Sequence, residues 1–123
     1  MESDFVYHIA SKEEWDKAQN GGEYTVPSLE SEGFIHFSTL KQCSQTANLY
    51  YSSASSLLLL QISSKKLNSK MLWEKSRNEE LFPHLYGALN IDAVEVIHNW
   101  SPEANGRYEE PSSSNLSVQI ADN

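Results

Sequence analysis

The chain has 123 residues, 39% of them hydrophobic, and 17 Asp plus Glu against 9 Lys plus Arg give it a formal net charge of −8. A chain of this length supports one domain with one modest core, and its one basic concentration, Lys65-Lys66 with Lys70 nearby, is too small for extended nucleic-acid binding. There is no apolar run of about 18 residues, the first residues carry acids where a signal peptide carries lysine or arginine, and Cys43 alone provides neither a disulfide framework nor a thiolate zinc site; a soluble, cytoplasmic chain that does not engage a membrane is expected.

Phe5 to Ala10, FVYHIA, is a run of strand formers ending at Ser11. Ser11-Lys12-Glu13-Glu14 then has the Ser-x-x-Glu form of a capping box, with acids in the first turn where the helix dipole favours them. Trp15 and Ala18 share a face of this helix, and Gly21-Gly22 ends it. Tyr24 to Glu32 holds a proline and mixed polarity, which reads as a loop with a brief extended piece at Tyr24 to Val26. Glu32 to Thr39, EGFIHFST, is the second strand, and Thr39-Leu40-Lys41-Gln42 is a second capping box. Leu40, Cys43, Ala47 and Tyr50 behind it keep helical spacing.

Leu57 to Ile62, LLLLQI, is too short for an ordinary helix and reads as a central strand covered on both faces. Met71 to Glu74 is a fourth short strand and Lys75 to Glu80 a polar loop. In Leu81 to Gly87, Pro83 and Gly87 bracket aromatics, which suits an ordered turn. Ala93 to Trp100 closes the domain as a strand. From about Pro111 the low apolar content predicts a disordered tail over 111–123, because little buried surface is available to offset the entropy of ordering it. The architecture expected is a single α+β domain over residues 1–110 with small mixed or antiparallel sheets. Its strands lie near 5–10, 33–38, 57–62, 71–74 and 93–100, its two main helices near 12–20 and 40–51, and a turn near 81–87. Two early strand–helix units leave parallel βαβ pairing as the alternative.

Side chains alternate across a strand, so Phe34, His36 and Ser38 share one face while Ile35 and Phe37 share the other. His8 falls with Val6 and Ala10, opposite Phe5, Tyr7 and Ile9. If these strands are neighbours, His8 and His36 line one cleft. His84 is the third candidate, held by the rigid backbone of Pro83, whereas His98 has no such company. A lone histidine is also an ordinary core residue when neighbours satisfy both nitrogens, and that reading stands beside the functional one. Thr39 is explained as a helix cap, and the Ser38-Thr39 junction also offers free N–H groups to a ligand. Trp73 and Tyr86 are candidate stacking or core aromatics, and Glu74 and Glu80 are candidate carboxylates.

Tyr7-His8-Ile9, Glu32 to Thr39, Leu81 to Gly87 with Leu89-Asn90 and Asp92-Ala93-Val94, the pair Trp73-Glu74 and the string Asn105 to Tyr108 together resemble domain-of-unknown-function family 952 (DUF952) over about residues 5–109. The resemblance implies an ADP-ribosyltransferase-like fold, in which NAD lies between two small sheets. It also implies that a first-strand histidine, here His8, holds a ribose. Gly33 to Phe37 and Thr46 to Tyr50 are similar to the second strand and following helix of that superfamily, with His36 near the position of a tyrosine that stacks on nicotinamide. Nothing matches the superfamily's late glutamate, and His84 comes at that stage of the chain. A neutral imidazole supplies acid–base chemistry but no full negative charge for a developing cation.

Three readings follow. In the first, NAD or an ADP-ribose derivative is bound and processed, with His8, His36 and His84 as the catalytic group and Ser38, Thr39, Trp73, Glu74, Tyr86 and Asn90 contacting the ligand. In the second, a nucleotide-like small molecule is bound without turnover. In the third, the three histidines ligate zinc or iron with an open position, although their spacing matches no local metal signature.

Overall fold

The computed structural model describes residues 4–119. Its elements are β1 (Phe5–Ala10), α1 (Lys12–Gly21), β2 (Glu23–Tyr24), α2 (Pro27–Ser31), β3 (Ile35–His36), α3 (Cys43–Tyr50), β4 (Leu57–Ser63), β5 (Lys70–Lys75), β6 (Leu81–Tyr86), β7 (Leu89–Asn90), β8 (Val94–Trp100) and β9 (Leu116–Val118). Both capping boxes form. Ser11 Oγ accepts from the Glu14 N–H at 3.1 Å while Glu14 Oε1 accepts from the Ser11 N–H at 3.3 Å, and Thr39 and Gln42 exchange the equivalent bonds at 3.3 and 3.0 Å ahead of α3. Gly22 ends α1 with a φ of +83°, in the left-handed region that glycine enters without penalty.

Three sheets result, with strand orders β1-β4-β8-β9, β2-β7 and β3-β6-β5. Every pairing among the described residues is antiparallel, so the parallel alternative is not realised and the fold is a single α+β domain with small antiparallel sheets. β4 is the central strand foreseen from its apolar run. Leu58, Leu60 and Ile62 enter a main core with Val6, Ala10, Trp15, Tyr24, Ile35, Phe37 and Leu85. Leu57 and Leu59 enter a second core with Ile9, Cys43, Ala47, Trp100 and Tyr108. Period-two alternation in one strand thus fills both sides of its sheet.

Three expectations are corrected. The loop at 24–32 contains α2, which Pro27 opens at a first-turn position where a missing N–H removes no helical bond. Residues 81–86 form the middle strand of the β3-β6-β5 sheet rather than a turn. Pro83 is accommodated there because Phe37 N–H donates to Pro83 O at 2.9 Å, and the reciprocal bond that proline cannot donate falls where β3, two residues long, has already ended. The segment from Pro111 is ordered as far as it is described: Leu116–Val118 pairs with His98–Trp100. Ser112 N–H donates to Asn115 Oδ1 at 2.8 Å and Asn115 Nδ2 donates to Glu110 O at 3.1 Å. Backbone bonds to an open sheet edge hold it where apolar burial alone would not. Residues 120–123 of the expected tail lie outside the described residues.

Tyr108 locks this segment onto α3. Its N–H donates to Asn48 Oδ1 at 2.8 Å and its carbonyl accepts from Asn48 Nδ2 at 2.9 Å, while its ring, 1% exposed, packs edge-on against Trp100 at 4.9 Å. Asn48→Ala leaves a donor and an acceptor beside Tyr108 without partners, for a loss of about 1–3 kcal/mol. Urea unfolding checks this, and a change below about 0.5 kcal/mol would show that the clamp does not hold the segment.

Candidate functional site

The site begins with two backbone hydrogen bonds. Tyr7 N–H donates to Ser38 O at 2.8 Å and Ser38 N–H donates to Tyr7 O at 2.7 Å, joining the edge of the four-stranded sheet to the chain just past β3. The junction sets His8 against the His36 backbone, and His8 Nδ1 lies 2.7 Å from His36 O. A carbonyl only accepts, so Nδ1 carries the proton and donates. His8 is 8% exposed, and burial pushes its pKa down to about 4 against the upward pull of the His36 carbonyl and Glu14. The ring is therefore neutral at pH 7, and Nε2, 2.9 Å from Tyr24 Oη, accepts the phenolic proton. Glu14 Oε1 also lies 3.4 Å from Tyr24 Oη, but a phenol has one proton to give. Burial, then the Glu14 charge, holds the Tyr24 hydroxyl well above its usual range.

Beside this junction opens a cleft of about 520 Å³, within the range of small-molecule sites. β1 and the chain around β3 contribute His8, His36 and Ser38. Ser38 is 6% exposed, and with its backbone committed to Tyr7 its side-chain hydroxyl has no partner among the described residues. α3 and the residue after it contribute Thr46, Tyr50 and Tyr51, and the β5–β6 hairpin contributes Ser76, Arg77 and Phe82. Glu14 and Glu32 are the cleft's carboxylates. Glu32 takes His36 Nε2 at 3.2 Å in a half-exposed pair.

The other sequence candidates lie elsewhere. His84 is beside His36 on the neighbouring strand, with ring centroids 5.3 Å apart, but it does not line the cleft. It is 4% exposed and stacks on Phe34 at 4.1 Å. Its Nδ1 donates to Glu74 Oε1 at 2.9 Å, and its Nε2 is buried without a partner. Tyr86 Oη donates to the same carboxylate oxygen at 2.5 Å, and the bonds from Tyr86 and then His84 pull the Glu74 pKa down. His84, Glu74 and Tyr86 form their own polar cluster on the three-stranded sheet. Trp73 packs against the main core, Thr39 is used as a cap, and Glu80 accepts from Gln42 Nε2 at 3.2 Å. Asn90 braces a turn, donating to Lys66 O at 2.8 Å and accepting from Asn68 N–H at 3.0 Å. His98, set aside in the sequence, bonds Gln61 Oε1 at 3.0 Å outside the cleft.

Among the described residues no three His, Cys, Asp or Glu side chains converge as a metal ion needs. The three-histidine reading fails for a local reason: both nitrogens of His8 are committed to His36 and Tyr24. Sequence reasoning missed Arg77, Glu14 and Glu32. Glu14 was absorbed by its capping role and Arg77 by its polar loop. The available signal for Arg77 was a lone arginine in the loop between two strands of an acidic chain.

Because the folded pKa of His8 is depressed from its ordinary 6.5 to about 4, the unfolded chain binds the extra proton first. His8 then contributes full stability above about pH 6.5 and loses about 1.4 kcal/mol per pH unit as pH falls toward 4. Comparing wild type with His8→Gln by denaturant unfolding from pH 7 to 4 isolates that slope. Equal slopes in the two proteins would show that His8 is not buried neutral.

The model of the family described as "Protein of unknown function (DUF952)" matches residues 9–97. The crystal structure of protein CC0527 from Caulobacter crescentus is 31% identical, with 85% of this chain and 93% of that chain covered at a TM-score of 0.78. The solution NMR structure of CC0527 is 30% identical, covering 87% of this chain and 93% of that one at a TM-score of 0.75. No curated protein matches the chain. With most of its length under the family model and the same fold in a relative at this identity, the chain belongs to the DUF952 family.

Proposed function

We propose that the cleft binds a small nucleotide-like ligand of the NAD or ADP-ribose class. The observation that carries this reading is the segregation of charge within one cavity. Arg77 enters from the β5–β6 hairpin, Glu32 comes from the segment after α2, and no ion pair joins them among the described residues. A ligand with an anionic centre and a cationic or neutral ring satisfies both. Tyr50 and Tyr51 provide aromatic surface, and the Ser38 hydroxyl provides a polar contact for a ribose or a carboxamide. The cleft's position where two small sheets meet agrees with the superfamily arrangement that the family resemblance implies, an argument by analogy.

Binding is favoured over chemistry by the state of the histidines. His8 has no free nitrogen, so it shapes the cleft and its hydrogen-bond pattern but has no base to offer. His84 stands outside the cleft. Turnover remains a second reading on one observation: Glu32 orients His36 by a contact to Nε2 inside the cleft, the arrangement of a carboxylate-assisted acid–base group.

A thermal-shift titration with NAD, ADP-ribose, nicotinamide and free adenosine tests the proposal. Saturation at 100 times Kd stabilises the fold by about 2.7 kcal/mol, several degrees for a domain of this size. Ser38→Ala, which removes a hydroxyl with no internal role, should weaken that response without lowering the melting point of the free protein. No response to any of the nucleotides would refute the proposal. Nicotinamide release from NAD that disappears in His36→Ala would establish the second reading.

A further inference from the structure

Arg77 is the one guanidinium lining the cleft, and its surroundings leave its charge uncompensated. Nη2 donates to Thr46 Oγ1 at 3.0 Å, the guanidinium carbon sits 5.0 Å from the centroid of the Phe82 ring, and Nε is buried without a partner. Among the described residues no carboxylate is within ion-pair distance of it, in a chain with 17 acids. The neighbouring acids are turned to other partners. Glu79 pairs with Lys75 at 3.7 Å and Glu80 accepts from Gln42. The left-handed backbone at Asn78 and Glu79, φ 58° and 63°, shapes the loop that carries them. The cleft's own carboxylates are engaged as well: Glu14 in its capping box and Glu32 with His36. A half-buried cation without a counter-charge is costly.

We propose that Arg77 is the anion-binding residue of this cleft and that the ligand presents a phosphate or pyrophosphate group to it. The inference rests on the reading that the cleft takes a nucleotide-like ligand, and it names the part of that ligand that is recognised. A guanidinium offers paired N–H donors in a fixed fork that matches phosphoryl oxygens. Thr46, which already accepts from Arg77, keeps its own O–H to donate, and Ser76 lines the same wall. Stacking on Phe82 fixes the plane of the fork before the ligand arrives.

Isothermal titration of the full chain with ADP-ribose, AMP, adenosine and inorganic pyrophosphate, repeated on Arg77→Gln and Arg77→Lys, tests this. AMP and ADP-ribose should bind wild type at least about 10-fold more tightly than adenosine, with the advantage lost in Arg77→Gln and partly kept in Arg77→Lys, the scale of a charge-assisted hydrogen bond. If adenosine binds as tightly as AMP, or Arg77→Gln binds AMP as wild type does, Arg77 is not an anion site while the nucleotide reading survives. Pyrophosphate binding that depends on Arg77, with no nucleotide or nucleoside preferred over it, supports the anion site and refutes the nucleotide. Absence of binding by all four overturns both. Should Arg77→Gln not fold, the Arg77→Lys comparison and the wild-type preference for AMP over adenosine decide the question.

Discussion

The structure depends on a splice between two sheets. Tyr7 and Ser38 exchange a pair of backbone hydrogen bonds, and beside them His8 drives its Nδ1–H into the His36 carbonyl at 2.7 Å. That side-chain bond is the hydrogen bond the His36 carbonyl takes at the end of a two-residue strand, at the border of the main core. An imidazole meets the need because it donates on one side and accepts on the other, so the same ring also receives Tyr24 and ties β2 to the junction. An apolar residue at position 8 would complete the packing but leave the His36 carbonyl without its donor and the Tyr24 phenol with only the longer contact to Glu14 Oε1 at 3.4 Å. The histidine planted in a strand of core residues is thus explained by polar satisfaction at a seam.

The cleft follows from the seam. The two sheets share the main core, and beside their edge contact a gap remains, lined by residues of α2 and its exit, of α3 and of the β5–β6 hairpin. Each wall brings a different chemistry. Glu32 and His36 form a half-exposed acid–imidazole pair, Tyr50 and Tyr51 present aromatic surface, and Arg77 brings the cleft's guanidinium. The polar cluster of His84, Glu74 and Tyr86 is packed on the three-stranded sheet and adjoins the cleft at His36, the neighbour of His84 in register.

Most of what was read correctly in the sequence has a local cause. The two capping boxes at Ser11 and Thr39, the stop at Gly22 and the two-sided burial of Leu57 to Ile62 all follow from short-range patterns. The helix that Pro27 opens was a local signal left unread; the other failures share a tertiary cause. Pro83 argued against a strand, and the strand forms because its partner ends at that point. The polar segment after Pro111 argued for disorder, and the open edge of β8 supplied its backbone partners. Strand alternation put His8 and His36 at one cleft, and both line it, whereas His84, grouped with them from the sequence, belongs to the adjoining cluster. Periodicity places a residue on a face of a strand but does not say which faces meet. Arg77 was missed because its character comes from the absence of a nearby acid in space, which the sequence Arg77-Asn78-Glu79-Glu80 hides by placing two acids beside it.

The most direct measurement of the seam is the tautomer and titration of His8 by nitrogen-resolved NMR of the imidazole. The account predicts a neutral ring at pH 7 with the proton on Nδ1, a bare Nε2, and a titration displaced to about pH 4. A ring carrying its proton on Nε2 would mean that His8 does not bond the His36 carbonyl, and titration near an ordinary 6.5 would mean that the ring is not buried at the seam; either result would contradict the account and leave only the Tyr7–Ser38 backbone bonds at the junction.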